Sequence, residues 1–265
     1  MRRRPRRAST VPGTSEEGAQ RVQGAGPHPR LGEHDLRRAE RHQQEGQGFP
    51  RPVPRGYGDP MGLYGEQILP RIINVACGMK VSEPHRRRVC EGLTGDVVEI
   101  GFGSGLNVPF YPESVARVAA VEPADLGWKL AAKRLRETSV PVERSGLDGQ
   151  SLPFADDSFD SALSTWTLCT IPDVAAALRE VRRVLKPGGT LHFVEHGLAP
   201  DEKVRHWQHR LEPLHKRIFG GCHLTRPIPD LLTGAGFTIT ELDVFYEEGS
   251  PKFIGADSLG VARSA

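Results

Sequence analysis

From Tyr64 onward, apolar and polar positions repeat on two periods, and the changes of period divide the chain into elements. Residues 66–77 place Ile68, Leu69, Ile72, Ile73, Val75 and Ala76 near helical spacing, with Pro70 early enough to sit in a first turn. A second helix is predicted over 84–91. Short apolar runs at 97–100, 118–121, 141–143, 161–164 and 190–194 then alternate with helical stretches at 126–137 and 173–185 and an amphipathic one at 201–219. Runs this short and this apolar suit buried parallel strands. Their alternation with helices predicts a doubly wound, mostly parallel α/β sheet. After 227–235, residues 238–245 and 253–262 read as two more strands, making seven with an antiparallel edge.

Residues 1–60 break this pattern. They hold 12 Arg and no Lys against 7 acidic residues, with almost no β-branched or aromatic positions. Such a segment cannot bury enough apolar surface to offset its ordering entropy, so it is expected to be a disordered tail before a domain at 61–265. The abrupt change at Met61 suggests that translation starts there. The remaining 23 basic and 26 acidic residues leave the domain mildly acidic, with no electrostatic footprint for nucleic acid. Cys77, Cys90, Cys169 and Cys222 form no CxxC pair and fit reduced thiols in a cytoplasmic protein. No apolar run is long enough to span a membrane, and none follows the basic N-terminus as in a secretory signal. Peripheral membrane contact stays open.

The chemistry concentrates after the first strand. Val97-Val98-Glu99-Ile100 runs into Gly101-Phe102-Gly103-Ser104-Gly105-Leu106-Asn107. Glycines there permit a tight turn and let a ligand lie against the main chain at the strand's carboxyl end. By itself the motif fits a dinucleotide site or a purely structural turn. The dinucleotide fingerprint wants glycine where this chain has Leu106. Glu122 ends the next strand, where an acid would accept from both hydroxyls of an adenosine ribose. Asp148 follows the third strand, where it can accept from an adenine amino group. Together these favour S-adenosylmethionine over a nicotinamide.

The set Glu99-x-Gly101-x-Gly103-x-Gly105, Glu122, Asp148, Leu152-Pro153-Phe154, Ser158-Phe159-Asp160 and Val184-Leu185-Lys186-Pro187-Gly188-Gly189 resembles the type-11 class I methyltransferases, over about residues 92–196. The resemblance implies a Rossmann-like fold and S-adenosyl-L-methionine as cofactor. Gly101, Gly103, Glu122 and Asp148 would contact it beside Gly105, Pro123 and Gly149, with Glu99 and Thr165 lining its methionine part. A finer resemblance joins Thr167-Leu168-Cys169, Glu195-His196, Trp207, Leu211-Glu212-Pro213, Gly221-Cys222 and Leu224-Thr225-Arg226 to the alkyl-thiol methyltransferases, implying a small thiol as acceptor. This chain departs from that pattern at Gly220 and His223, and the hydrophobic N-terminal anchor of those proteins has no counterpart in residues 1–60.

For the acceptor side, His196 just past the fifth strand is the candidate base or substrate-orienting group, with Glu195 as its rival; a structural histidine capping the strand is the bland alternative. Cys222 is read as either a small core residue or a group that meets substrate. Arg226 would pair with Glu212 or with an acidic substrate. His206, His209, His215 and His223 are read as a solvated helix face rather than a metal site, so no metal is expected. Trp207 and 201–219 would cover the substrate. Two further readings stay open: methylation of quinones or other small C/O acceptors, and a non-catalytic protein that binds the cofactor or scaffolds a partner.

Overall fold

The computed structural model describes residues 64–264. The tail read at 1–60 and the start proposed at Met61 lie outside the described residues. A π-helical turn at Tyr64–Ile68 leads into α1 (Leu69–Ala76), which has Pro70 in its first turn as expected, and α2 (Glu83–Cys90) follows. The alternating part comprises β1 (Gly95–Ile100), β2 (Val115–Val121), α3 (Asp125–Glu137), β3 (Val142–Gly146), β4 (Phe159–Thr165), α4 (Val174–Val184) and β5 (Leu185–His196). α5 (Glu202–Ile218), α6 (Ile228–Gly234), β6 (Phe237–Tyr246) and β7 (Ala256–Ser264) complete the chain.

One seven-stranded sheet has the order β3-β2-β1-β4-β5-β7-β6. The first five strands are parallel, and β7 runs antiparallel between β5 and β6. Adjacent residues of one strand feed both faces. Val98 and Ile100 pack with Leu178, Val181 and Ile228 on one side, whereas Val97 packs with Val89, Leu93 and Leu163 on the other. Burial on both faces explains why these strands are continuous apolar runs rather than alternating ones.

Among the boundaries that differ from the sequence pattern, two have a visible cause. Lys186-Pro187-Gly188-Gly189, expected as a connection, lies inside β5 as an irregularity between the pairs Phe159↔Leu185 and Ser161↔Thr190. Gly188 takes φ +77° there, a conformation that glycine adopts without a Cβ penalty. The strand read at 253–262 starts later, at Ala256, because Ile254 and Gly255 donate back to the Pro251 carbonyl in a turn. Among the described residues, no helix is long and apolar enough to cross a membrane.

Candidate active site

The strand order reverses at β1, which lies between β2 and β4, so chain connections leave it in opposite directions. Open α/β sheets bind ligands in the crevice at this switch point, beyond the strands' carboxyl ends. Gly101, Glu122, Thr167 and His196 all stand on that edge, at or just past the ends of β1, β2, β4 and β5. A cavity of about 360 Å³ lined by Asp156, Arg179, Arg183 and Ser264 belongs to the opposite edge, where β4 and β5 begin.

The three loop glycines have different surroundings. Gly101 takes φ +71°, and a Cβ there would run into the Thr167 side chain, so the loops after β1 and β4 meet at this point. Gly103 takes φ +57°, and a Cβ built on it meets nothing closer than the Gly101 carbonyl at 3.8 Å. Gly105, at φ +71°, faces inward: a Cβ would lie 3.1 Å from Ala131 and Phe102 and 3.2 Å from Val108. Gly103 therefore presents bare backbone to the crevice, and Gly105 lets the loop pack on α3.

Glu122 is buried. Its carboxylate accepts from the Gly103 and Ala124 backbone N–H groups, each at 2.6 Å. Burial pushes its pKa up, against the pull of those two donors. Each oxygen keeps a second acceptor site for a ligand hydroxyl. Arg144 on β3 fastens this strand end, donating to the carbonyls of Glu122 and Pro123 at 2.9 Å and pairing with Asp125 at 2.6 Å. Pro123 itself is exposed. Asp148 accepts from the Gln150 backbone and side chain through Oδ1, leaving Oδ2 free of partners among the described residues. Neighbouring Gly149 lies over Ile171 and Ile100, an apolar floor suited to a flat base. An open glycine backbone bonded to one strand-end acid, with a second acid and an apolar floor on the same sheet edge, fits an adenosine.

Glu99 is sealed behind the loop. Asn107 donates to Oε1 at 2.9 Å, and the Tyr111 hydroxyl donates to Oε2. Burial raises its pKa to about 7 despite both donors and the nearby Arg86. Arg86, projected from α2 and itself buried, reaches Asn107 Oδ1 at 2.6 Å, Thr165 Oγ1 at 3.3 Å and the Cys77 carbonyl at 3.0 Å, and its guanidinium lies 4.7 Å from the Trp166 ring centroid. Sequence reasoning missed Arg86, Asn107, Tyr111 and Trp166. Only the glutamate's place before the glycine loop hinted that buried partners were needed.

At the end of β5 the two acceptor-side candidates separate. Glu195 is fully buried. Its Oε1 accepts from Ser164 at 2.6 Å and from Thr167 N–H at 3.1 Å, and its Oε2 accepts from Cys169 N–H at 3.2 Å. That carboxylate organises the loop after β4 and has no oxygen turned to an acceptor. His196 faces two sulfurs instead: Nδ1 lies 3.9 Å from Cys169 Sγ and 3.8 Å from Cys222 Sγ, while Nε2 lies 3.8 Å from Asp257 Oδ1. Burial alone would lower the imidazole pKa, but Asp257 and Cys222 outweigh it and hold it up to about 9. Cys222 is drawn down toward thiolate by the neighbouring Cys169 thiol and His196, and Cys169 is correspondingly pushed up.

Two expectations take a different form. Arg226 meets neither Glu212 nor an open substrate site; it is buried and donates to the carbonyls of Leu168, Ile171 and Pro172, clamping the loop after β4. Glu212 pairs with His223 at 3.0 Å and accepts from Thr225. His206 and His209 are exposed, as a solvated helix face requires, whereas His215 is buried and stacks on Phe219 with Nδ1 3.2 Å from the Cys222 carbonyl. α5 is tied beside the loop after β5 by buried Gln208, which binds the Gly197 carbonyl and the Ala199 N–H, and Trp207 on that helix is 54% exposed.

Residues 98–193 match the family described as a methyltransferase domain, type 11. The matched stretch runs from within β1 to within β5 and so contains the glycine loop, Glu122 and Asp148. Among characterised relatives, it is 36% identical over 159 residues to thiol S-methyltransferase TMT1B of Rattus norvegicus, covering 58% of this chain and 65% of that protein. It is 35% identical over 150 residues to thiol S-methyltransferase TMT1A of Homo sapiens, covering 55% and 61%. The chain thus spans a little under two thirds of the length of the relatives it matches. A methyltransferase structure from Bacillus halodurans C-125 superposes with a TM-score of 0.57 at 19% identity, over 69% of this chain and 99% of that one. At that identity the likeness is one of fold.

Proposed function

We propose that the protein transfers a methyl group from S-adenosylmethionine to a small, apolar thiol. The observation that carries the reading is the open Gly103 backbone bonded to Glu122, at the same sheet edge as Asp148 and the sulfur-flanked His196. Gly101, Gly103, Glu122, Asp148 and Gly149 would hold the adenosine half. Arg86, Asn107 and Thr165 would face the methionine half with Glu99 behind them. When bound, the donor supplies a sulfonium methyl that is already electrophilic, so the chain's task is chiefly to align the acceptor and exclude water.

A thiol acceptor needs little activation, because its pKa lies near 8.5 and part of it ionises at neutral pH. His196, whose Nε2 lies 3.8 Å from Asp257 Oδ1, would orient that sulfur. α5 with Trp207 would cover it, in a compartment taken to be cytoplasmic. The thiol, as opposed to another small acceptor, is supported by the names of the relatives and by the segments from Thr167 to Arg226 that resemble thiol methyltransferases.

The test is a panel of small alkyl thiols, quinones and catechols incubated with the full chain and methyl donor, with S-adenosylhomocysteine and methylated product both quantified. Methyl thioether formation with alkyl thiols is expected. Turnover of quinones without thiols would overturn the acceptor, and absence of donor binding by calorimetry would overturn the methyltransferase reading as a whole.

A further inference from the structure

Cys169 and Cys222 are 53 positions apart in the chain, yet their sulfurs lie 3.5 Å from each other, and both face the Nδ1 of His196. Three different connections converge here: the loop after β4, the end of β5 and the segment between α5 and α6. Both cysteines are buried, and the three potential ligand atoms fall within 4.8 Å of one another. We propose that Cys169, Cys222 and His196 form a binding site for a thiophilic divalent cation of the zinc class, with a fourth coordination position for the sulfur of an acceptor thiol. The second half of this statement rests on the thiol reading above; the first does not.

The geometry is that of one face of a tetrahedron. The three edges measure 3.5, 3.8 and 3.9 Å. A tetrahedral zinc with metal–sulfur bonds of about 2.3 Å and metal–nitrogen bonds of about 2.0–2.1 Å separates its sulfurs by about 3.8 Å and each sulfur from the nitrogen by about 3.5 Å. An ion about 2.3 Å from all three atoms sits about 0.8 Å off their plane, close to its depth in a regular tetrahedron. A disulfide needs the sulfurs at about 2.05 Å, which requires more movement than metal binding does.

The surroundings point to the same ligand. Metal-bound histidines commonly turn their other ring nitrogen to a carboxylate, which sets the tautomer and orientation. Here Nδ1 faces the sulfurs and Nε2 faces Asp257. Asp257 is 1% exposed, and its Oδ2 has no hydrogen-bond partner. An unpaired buried carboxylate oxygen is costly unless positive charge stands nearby, and a dication bound to His196 supplies it. Among the described residues, no further His, Cys, Asp or Glu joins this group. Three protein ligands with one position left is the arrangement of catalytic rather than structural zinc. A thiol entering that position would bind as thiolate, its proton passing to solvent, and its sulfur would form the new S–CH3 bond as the donor's sulfonium–methyl bond breaks and S-adenosylhomocysteine leaves. The sequence pattern directed attention to His206, His209, His215 and His223, whereas the fold assembles a different set.

The test uses the full chain, purified under reducing conditions. Zinc is counted by mass spectrometry, and cobalt(II) is titrated by absorption. About one metal per chain and a sulfur-to-cobalt charge-transfer band with intense tetrahedral ligand-field absorption are expected. C169S and C222S should each lose most of the charge-transfer intensity and at least tenfold in cobalt affinity, while H206A with H209A changes neither. D257N should keep the band and weaken cobalt by 10–100-fold, a variant in which all three ligands remain. No charge-transfer band at saturating cobalt in the reduced protein, or a band that survives both serine variants, overturns the site. A small alkyl thiol should shift the cobalt spectrum; a bound metal whose spectrum ignores the thiol overturns the open fourth position. Cobalt binding without thiol turnover leaves the metal site standing and removes the acceptor, and thiol turnover without cobalt binding does the reverse.

Discussion

Gly103 and Gly105 make a matched pair for separating cofactor contact from packing. Both sit at positive φ, +57° and +71°, where adding a Cβ costs about 1–2 kcal/mol in backbone strain. They differ in what the added methyl meets. At Gly103 the nearest atom is a carbonyl oxygen at 3.8 Å, so Gly103→Ala should lose only that strain. At Gly105 the methyl lands 3.1–3.2 Å from Ala131, Phe102 and Val108, and overpacking of this kind adds about 1–3 kcal/mol. For a domain of this size, each kcal/mol shifts the melting temperature by about 2–4 °C, so Gly105→Ala should melt roughly 10 °C lower and Gly103→Ala only a few degrees lower.

Binding should rank the other way. The Gly103 methyl projects into the space proposed for adenosine and should weaken S-adenosylhomocysteine at least about tenfold, about 1.4 kcal/mol. A ligand concentration 100 times the wild-type Kd stabilises wild type by about 2.7 kcal/mol and a tenfold weaker variant by about 1.4 kcal/mol. Urea denaturation with and without ligand, together with calorimetry on the folded variants, reads both quantities. If Gly103→Ala bound S-adenosylhomocysteine as wild type does, the glycine cradle would not be the donor site.

Replacing Glu122 by Ala removes the acceptor proposed for the ribose hydroxyls and should weaken donor binding by about 3 kcal/mol or more, a hundredfold or greater, measurable by calorimetry. Glu99 gives a pH signature. Its folded pKa, about 7, lies above its ordinary value of 4.5, so the native state binds the extra proton, and its contribution to stability falls as pH rises from about 4.5 to about 7. Glu99→Gln should abolish that component of the slope, and urea denaturation from pH 4.5 to 8 that shows the same slope in both proteins would refute the assignment. Arg226→Met strips donors from the Leu168, Ile171 and Pro172 carbonyls and should cost about 2–4 kcal/mol of stability by chemical denaturation.

How much of this was legible beforehand follows from the range of the interactions. The parallel strands, the helices between them and the glycine loop were readable because burial on both faces imposes continuous apolar runs and a ligand-facing turn imposes glycine. Glu122 and Asp148 were picked out because each closely follows a strand end, Glu122 one residue after β2 and Asp148 two after β3. The start of β7 was misplaced because Phe253 and Ile254 look like strand residues, while the Pro251 turn that excludes them is a local hydrogen-bond pattern that side-chain hydropathy does not show. Glu195 illustrates the same limit at the site. Strand alternation places its side chain opposite that of His196, but only the loop after β4 reveals that Ser164, Thr167 and Cys169 occupy its oxygens.

Periodicity therefore decided the class of sheet, and strand-end acids the side of the crevice proposed for the donor, since both depend on residues near each other in the chain. The cluster around His196 was decided by folding alone. Insertion of β7 between β5 and β6 pairs His196 with Asp257, and the return of the chain after α5 brings Cys222 to Cys169. Nothing in the spacing of those four residues encodes their meeting. They come together because strand order and helix packing, driven by burial elsewhere in the molecule, deliver their backbones to one place.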